Sequence, residues 1–326
     1  MRALVLGARG AVGREVAARL RDAGDTVVAA GRTASDGGVA LDLATGEGLA
    51  QLARVSGTVD VVVNASGMER PEIAAHVGAT PLVDISAAGS YLDALAEQAS
   101  LHGARALLGA GLAPGLSTLM AAEVAGEPGD EIDVMVTLGS GEAHGAAAVE
   151  WTSRLLGTDL HAPPEDHPVP NLRSWHRASV PGRRPRSYLR ADFPDHVLIG
   201  RGRERRIRSY LALSSPAATA ALAVIARVPP LHGLLARVPQ IGSERWHLLV
   251  TNRRTGRTLH ATGEGQSRAT GALAALAARR VVENPPPLPT SMDQIIDWPG
   301  ILGTGLLSRS PDAAGAGESY LFRDPR

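Results

Sequence analysis

Three glycines near the start of the chain, Gly7, Gly10 and Gly13, have the spacing G-x-x-G-x-x-G. They follow an apolar run, residues 3–6, and precede a segment with helical periodicity. In this order of strand, turn and helix, Gly7 turns the chain, Gly10 leaves room for a pyrophosphate and Gly13 lets the helix pack closely. The N-terminus of the helix offers free N–H groups and a partial positive charge to phosphates. The alternative is an ordinary strand–loop–helix unit. Four more residues of the turn are predicted to contact a dinucleotide: Ala8, Arg9, Ala11 and Val12.

The second predicted strand, residues 26–30, ends in Gly31, Arg32 and Thr33. In an NAD site, an acidic residue at this position would accept hydrogen bonds from the ribose 2′-hydroxyl. A planar guanidinium suits a 2′-phosphate instead, so the sequence favours NADP(H) over NAD(H). Because Asp36 lies a little further on, NAD(H) remains an alternative. Arg32 also has an alternative interpretation, as a solvated arginine of a loop.

Further candidate cofactor contacts follow the next strands of the predicted sheet. Asp42 lies in a predicted strand, residues 39–43, and is placed either near the adenine or in a surface loop. A β-branched strand, residues 59–64, ends in small residues that would let a nicotinamide ribose approach the backbone. These residues are Asn64, Ala65, Ser66 and Gly67.

Four residues are candidates for the chemical step. Asp84 lies at the end of the fifth predicted strand, residues 81–85, Ser86 follows that strand, and Tyr91 lies at the start of the next helix. His144 lies in a Gly-rich segment after a later strand, and an imidazole titrates near neutral pH, so we predict His144 as proton donor or substrate contact. Three of the four have an alternative: Asp84 accepts backbone N–H bonds from its own loop, Tyr91 is a core residue, and His144 is a surface histidine.

The composition excludes several kinds of chemistry. The chain has no Cys, and all 33 basic residues are arginines because there is no Lys. Disulfides, thiolate catalysis, cysteine zinc sites, lysine Schiff bases and a Tyr-x-x-x-Lys proton relay are therefore ruled out. The 33 acidic residues balance the 33 basic ones, so we expect neither nucleic acid nor a membrane surface as partner. No signal peptide or membrane-length apolar run is visible, which predicts a soluble cytoplasmic protein.

Three motifs together resemble the saccharopine dehydrogenase-like family of NAD(P)-dependent oxidoreductases. They are the glycine turn, the strand end Val83-Asp84-Ile85-Ser86, and Gly111-Leu-Ala-Pro114-Gly115-Leu before a helix. The family's usual forms of the last two resemble Y-V-D-x-[ST]-G-E and G-[LF]-D-P-G. This chain departs from them at positions that face substrate in the family: Leu82, Ala87, Ala88 and Ala113.

The resemblance implies hydride transfer at a carbon–nitrogen bond. We therefore expect an NADPH-dependent reductase of a small imine or a related carbonyl compound, acting in secondary or amino-acid metabolism. One alternative is a trans-acting enoyl reductase or a ketone reductase. Another is a non-catalytic NADP-binding regulator or scaffold, which the alanines at the substituted positions keep open. The predicted partner is a small-molecule substrate, with a possible homodimer.

The predicted fold class is α/β, a Rossmann-type doubly wound parallel sheet with an inserted second α+β domain. Residues 1–125 form the NADP-binding domain and residues 126–262 a domain for substrate or oligomerisation. Residues 263–306 form a C-terminal helix and a return segment packing on the Rossmann domain, and residues 307–326 a mobile tail.

Within the second domain, residues 158–195 are Pro-rich and predicted to be irregular, and residues 231–238 are predicted to form a helix. Several residues here have metal-ligand side chains but no regular ligand spacing, so no metal site is predicted. They are His161, Glu165, Asp166 and His167. An arginine-rich stretch, residues 183–208, has three interpretations: a solvated or dimer-facing surface, a site for an anionic substrate, or a nucleic-acid surface.

Overall fold

The computed structural model of the protein describes residues 1–33, 37–139, 141, 146–180, 184–200, 204–237, 243–286, 289–310 and 317–323. The chain divides into two compact units. The first comprises Met1–Leu116 and Thr270–Ile296, and the second comprises Ser117–Ala269 and Asp297–Arg326. In the described ranges, no helix has the length and apolar character needed to cross a membrane.

The first unit is built on a seven-stranded parallel sheet. With strands counted along the whole chain, its members are β1 (Arg2–Leu6), β2 (Thr26–Gly31), β3 (Val39–Ala40), β4 (Val61–Asn64), β5 (Leu82–Asp84), β6 (Ala106–Leu108) and β13 (Thr290–Ser291). Their order across the sheet is β13-β6-β5-β4-β1-β2-β3. This is the order of a doubly wound dinucleotide-binding fold with β13 added at one edge. The predicted Rossmann-type sheet is thereby confirmed.

The central strands are apolar on both faces, as a parallel sheet between two layers of helices requires. Residues 3–6 of β1 are at most 1% exposed, and Val61, Val62 and Val63 of β4 are 0% exposed. The helices of this unit are α1 (Ala11–Asp22), α2 (Gly46–Ser56), α3 (Ile73–Val77), α4 (Gly89–His102), α9 (Met292–Ile295) and most of α8 (Gln266–Glu283).

The second unit is built on an eight-stranded mixed sheet, as the predicted α+β domain requires. Its strands are β7 (Glu131–Leu138), β8 (Trp175–Ala178), β9 (Arg186–Arg190), β10 (Arg206–Leu213), β11 (Arg245–Asn252), β12 (Thr258–Glu264), β14 (Leu307–Arg309) and β15 (Glu318–Phe322). The order is β14-β15-β12-β11-β7-β10-β9-β8, with β7 parallel to β10 and β12 parallel to β15. The helices are α5 (Leu116–Val124), α6 (Ala146–Leu155), α7 (Pro216–Arg227) and α10 (Trp298–Gly303).

Strands β8 and β9 lie where the sequence predicts an irregular segment, and β10 begins at the end of the arginine-rich stretch. The prediction of irregular structure is wrong for β8 and β9. Arginines at both ends of β9 obscure the apolar alternation that indicates a strand, although Tyr188 and Leu189 are 0% exposed. A buried arginine needs an acidic partner from elsewhere in the chain, and a local pattern does not show one.

The predicted mobile tail from residue 307 is also wrong for the described residues. Strand β15 pairs with β12, and β14 pairs with β15. Tyr320 is 1% exposed, and its ring lies edge-on to Trp298 with a centroid distance of 5.0 Å. The Ser, Gly and Ala residues before β15 suggested mobility, but burial of one aromatic side chain anchors the strand.

Two further elements differ in detail from the prediction. The helix expected at residues 231–238 is a 3₁₀-helix, Pro229–Arg237. The strand expected at residues 39–43 is shorter in the structure, where β3 comprises only Val39–Ala40. It ends there because the chain enters a turn in which Asp42 Oδ1 accepts the Ala44 N–H at 3.0 Å. A π-helical turn at His196–Gly200 has no counterpart in the sequence prediction.

Candidate functional site

The glycine turn after β1 is packed so closely that only glycine fits at two of its positions. Gly7 has a φ of +74°, and a Cβ on it would lie 2.4 Å from Ser66 Cα and 2.6 Å from Ala65 O. A Cβ on Gly13 would lie 2.2 Å from Gly7 O. The turn therefore touches the loop after β4 on one side and the first turn of α1 on the other.

Gly10 has a different function from the other two glycines. It is the N-cap of α1, and no side chain caps the helix. A Cβ on Gly10 would lie 3.2 Å from Gly7 O, which is tight but not a severe overlap. The first N–H groups of α1 have no acceptor within the helix, so an anion in front of Gly10 would meet free donors and the positive end of the helix dipole.

The loop after β4 lies directly beside this turn. Ala65 N–H donates to Leu6 O at 3.0 Å, at the end of β1. The Ser66 hydroxyl accepts from Met68 N–H at 3.1 Å, and Gly67 has a φ of +72°. Two sets of predicted cofactor contacts, residues 7–13 and residues 64–67, are thus neighbours at the carboxyl ends of adjacent strands.

Four predicted contacts meet at the end of β2. Arg9 Nη2 donates to Thr33 Oγ1 at 2.5 Å, and the Arg9 guanidinium lies 3.6 Å from the position of a Cβ on Gly31. Arg32, between Gly31 and Thr33, is exposed. Asp36 lies outside the described residues.

Asp42 is held within its own turn. Its backbone O accepts from the Thr45 hydroxyl at 3.0 Å, and Thr45 Oγ1 in turn accepts the Gly48 N–H at 3.0 Å as the N-cap of α2. These bonds account for the local conformation of Asp42. Its position near an adenine stays a prediction.

Four polar residues at the ends of β4 and β5 and one on α4 form one hydrogen-bonded network. Asn64 Nδ2 donates to Asp84 Oδ2 at 2.7 Å, and the Tyr91 hydroxyl donates to the same oxygen at 2.8 Å. Ser86 N–H donates to Asp84 Oδ1 at 2.8 Å. On the other side of the amide, Asn64 Oδ1 accepts from the Ser66 hydroxyl at 2.6 Å. The network thus connects the loops after two adjacent strands.

Burial dominates the protonation of this network. Asp84 is 0% exposed, and burial raises its pKa although the bonds from Ser86, Asn64 and Tyr91 act to lower it. Burial, followed by the charge of Asp84, raises the pKa of Tyr91 far above its ordinary value, so Tyr91 stays protonated. Both side chains direct their polar atoms at each other, which favours the alternative in which Asp84 holds the loop and disfavours Tyr91 as proton donor.

His144, the predicted proton donor, lies outside the described residues. The strand that precedes it, β7, ends at Leu138. Its assignment as proton donor or substrate contact stays a prediction.

The arginine-rich stretch contains ion pairs within the second unit. Arg190 Nη2 lies 3.2 Å from Glu165 Oε2, and Arg208 lies 3.0 Å from Glu131 Oε2 and 3.2 Å from Glu165 Oε1. Arg190 is 3% exposed, with its guanidinium 5.5 Å from the centroid of the Tyr210 ring. The Arg208 bond holds the pKa of Glu131 below its usual range. These two arginines are structural, which disfavours both anionic-ligand interpretations for them.

Sequence reasoning missed a buried row of polar side chains on β11, β12 and β15. His247 Nδ1 lies 3.3 Å from His260 Nε2, and His260 Nδ1 lies 3.4 Å from Ser319 Oγ. The hairpin of β11 and β12 pairs His260 with Leu249, which places the two histidines diagonally on one face. Residues 246–252 and 258–262 have the sequence pattern of a hairpin and could have revealed this pair, whereas Ser319 joins it only because the tail forms a strand.

The residues with metal-ligand side chains are used in other ways. Glu165 pairs with arginines, and His167 Nδ1 lies 3.0 Å from Asp166 Oδ1 at an exposed position. Among the residues that the structure describes, there is no group of three or more His, Cys, Asp or Glu side chains able to hold a metal ion.

Comparison with known proteins gives only distant structural likenesses. No protein-family model matches the chain, and no curated protein matches its sequence. A mutant meso-dapdh from Clostridium tetani E88, with DAP, is 10% identical over 90% of this chain and 94% of its own, with a TM-score of 0.47. A C. glutamicum DAP dehydrogenase in complex with DAP is 14% identical over 90% and 92%, with a TM-score of 0.45. An engineered D-amino acid dehydrogenase bound to NADP+ is 14% identical over 90% and 93%, also with a TM-score of 0.45. At this distance, the function of the chain has to be inferred from its own residues.

Proposed function

We propose that the chain is an NADP(H)-dependent oxidoreductase whose first unit binds the dinucleotide. One observation carries the proposal: the glycine turn lies at the topological switch point of the sheet. From β1 the strand order runs to β2 on one side and to β4 on the other. Doubly wound folds bind ligands in the crevice at the carboxyl ends of such strands. Here the glycine turn at Gly7 and the loop that begins at Ala65 lie side by side at these strand ends.

The residues around this crevice fit the parts of a dinucleotide. The N-terminus of α1, kept accessible by Gly10, binds the pyrophosphate. Arg32 pairs with the 2′-phosphate, since no acidic residue ends β2. The backbone at residues 64–67 takes the nicotinamide ribose, and the network of Asn64 and Asp84 fixes the shape of that loop. When bound, the cofactor supplies a hydride from nicotinamide C4.

The finer proposal concerns the substrate. The saccharopine dehydrogenase-like resemblance supports reduction of a small imine or a related carbonyl compound, with the second unit holding the substrate. A protonated iminium accepts hydride without further acid, whereas a ketone needs a proton donor near its oxygen. His144 is the proposed donor for the second case.

The cofactor proposal is tested by placing the same charge at two helix N-termini. Gly10→Asp puts a carboxylate at the N-cap of α1, where it stabilises the helix but repels a pyrophosphate. Gly46→Asp puts one at the start of α2, where a Cβ would meet no atom within 4 Å. Binding of NADPH and NADH is measured by isothermal titration, and folding by thermal unfolding.

We expect NADPH to bind the natural protein more tightly than NADH. Gly10→Asp should weaken the binding of both nucleotides by about a hundredfold or more, because the carboxylate occupies the N–H donors and repels the pyrophosphate. It should not lower Tm. Gly46→Asp should bind both as the natural protein does. If the natural protein binds neither nucleotide, or if Gly10→Asp binds them unchanged, the proposal is wrong.

Turnover is tested separately, with imine, enoyl and ketone compounds followed at the NADPH absorbance band. If NADPH is oxidised with imines but with neither of the other two classes, the finer proposal is supported. Oxidation with enoyl or ketone compounds only favours the alternative reductases. Tight NADPH binding without oxidation by any class favours a non-catalytic NADP-binding protein.

A further inference from the structure

We propose that Arg9, which belongs to the glycine turn, is a second determinant of NADP(H) specificity and binds the 2′-phosphate together with Arg32. The inference rests on the proposed function, because it assigns a residue to the same cofactor site. The sequence predicts only that Arg9 contacts the dinucleotide, without saying which part. The structure directs its side chain to the end of β2.

The geometry is given by two contacts from different segments of the chain. Arg9 Nη2 donates to Thr33 Oγ1 at 2.5 Å. The same guanidinium faces Gly31, since a Cβ built on Gly31 would lie 3.6 Å from Arg9 Nη2 and 3.8 Å from Arg9 Nε. Arg9 thus reaches from the turn after β1 to the turn after β2.

This placement reverses the sign of charge at the position that discriminates the two cofactors. An NAD site has a carboxylate at the end of β2, which accepts from the ribose hydroxyl and repels a 2′-phosphate. Here Gly31 has no side chain, and the guanidinium of Arg9 covers it. A phosphate dianion at this position would lie beside the Arg9 guanidinium, and the exposed Arg32 directly follows Gly31 in the chain. Two arginines from two loops can each donate to it.

Thr33 acts as a positioning residue in this arrangement. Its hydroxyl accepts one N–H of Arg9, and a guanidinium has five, so donors remain for a phosphate. The bond restricts a long side chain that is otherwise free to rotate. Loss of the hydroxyl should therefore weaken the binding of NADPH by only a few-fold and leave the binding of NADH unchanged.

The test uses ligand pairs that differ only in the 2′-phosphate: NADPH with NADH, and 2′,5′-ADP with 5′-AMP. The variants are Arg9→Gln, Arg32→Gln, their combination, and Thr33→Val. Arg21→Gln, at an exposed arginine in the last turn of α1, is the matched control. Dissociation constants are measured at one fixed salt concentration, because phosphate contacts depend on screening.

Arg9→Gln should weaken the binding of NADPH and 2′,5′-ADP by about ten- to a hundredfold, which is the expected contribution of one charge-assisted bidentate contact. NADH and 5′-AMP should change by less than about twofold, and the double variant should bind NADPH and NADH alike. Unchanged NADPH binding by Arg9→Gln overturns the inference, and so does an equal loss for both members of a pair. In either outcome the proposed function survives, whereas a natural protein that binds no nicotinamide nucleotide ends both.

Gly31→Asp gives an independent test of whether Arg9 acts at the 2′-phosphate position, because it leaves Arg9 in place. Its Cβ has space, and its carboxylate would pair with the Arg9 guanidinium and face the 2′-position. We expect NADPH affinity to fall by at least about tenfold while NADH binding is retained. Retention of NADPH preference in Gly31→Asp would show that Arg9 does not act at this position.

Discussion

Asp84 shows how a residue predicted for chemistry can serve the structure of the site instead. Its two carboxylate oxygens accept from a backbone N–H, an amide and a phenol, all within 2.8 Å. No part of the side chain is exposed. These bonds connect Asp84 to the loops that begin at Ala65 and Ser86, beside which we propose that the cofactor lies.

The raised pKa of Asp84 predicts a pH-dependent contribution to stability. Because burial raises its pKa in the folded state, the contribution is complete below the ordinary Asp pKa and is lost as pH rises through the folded value. The stability advantage of the natural protein over Asp84→Asn should therefore shrink as pH rises, by about 1.4 kcal/mol per unit between those two values. Urea unfolding from pH 4 to pH 8 measures it.

Asp22→Asn is the matched control, since Asp22 is exposed in α1. Its difference from the natural protein should stay within about 0.5 kcal/mol at every pH. An advantage of Asp84 that grows with pH would mean that hydrogen bonds to the carboxylate outweigh burial.

At the scale of elements, strand β15 decides whether the end of the chain belongs to the second unit. Tyr320 anchors it, because its hydroxyl donates to Glu318 Oε2 at 2.5 Å and accepts from Trp298 Nε1 at 3.4 Å. The ring itself is 1% exposed. A strand attached in this way pairs with β12 on the side that is not paired with β11.

Tyr320→Ala should lower the free energy of unfolding by about 3 kcal/mol, because it removes a buried ring and leaves a cavity. Tyr320→Phe keeps the ring and should cost only about 1 kcal/mol. Urea unfolding of both variants measures the difference, with Val224→Ala, at a residue of α7 that is 54% exposed, as the control. A loss of less than 0.5 kcal/mol for Tyr320→Ala would support the mobile tail that the sequence suggested.

At the scale of the whole molecule, the described contacts proposed for the cofactor all belong to the first unit. They lie in residues 7–13, 31–33, 42 and 64–67, within Met1–Leu116. The ion pairs of Glu165 and the histidine pair belong to the second unit. Cofactor binding and substrate binding are therefore proposed for different parts of the chain.

This division predicts where a bound nucleotide will protect the backbone. A ligand at 100 times its Kd stabilises the state that binds it by about 2.7 kcal/mol. With NADPH present, hydrogen exchange should slow at residues 7–13, 31–33 and 64–67, and 2′,5′-ADP should protect the first two of these segments. Protection confined to residues 117–269 would contradict the assignment of the cofactor to the first unit.

The sequence by itself determined the Rossmann-type unit and the glycine turn. These depend on local patterns: a buried strand beside Gly7, a helix beside Gly13, and β-branched runs for parallel strands. Each is readable because steric and periodic requirements act over a few residues. The absence of Lys and Cys likewise excluded whole classes of mechanism without a structure.

Only the tertiary structure decided which side chains act together. Thr33 accepts a hydrogen bond from Arg9, which lies 24 residues earlier in the chain. Tyr91 donates its hydroxyl hydrogen to Asp84. Strand β9 contains a buried arginine because Glu165 lies beside it, 25 residues away in the chain. A local pattern gives the type of a residue but not its partner, and for a charged or polar side chain the partner determines whether burial is tolerable.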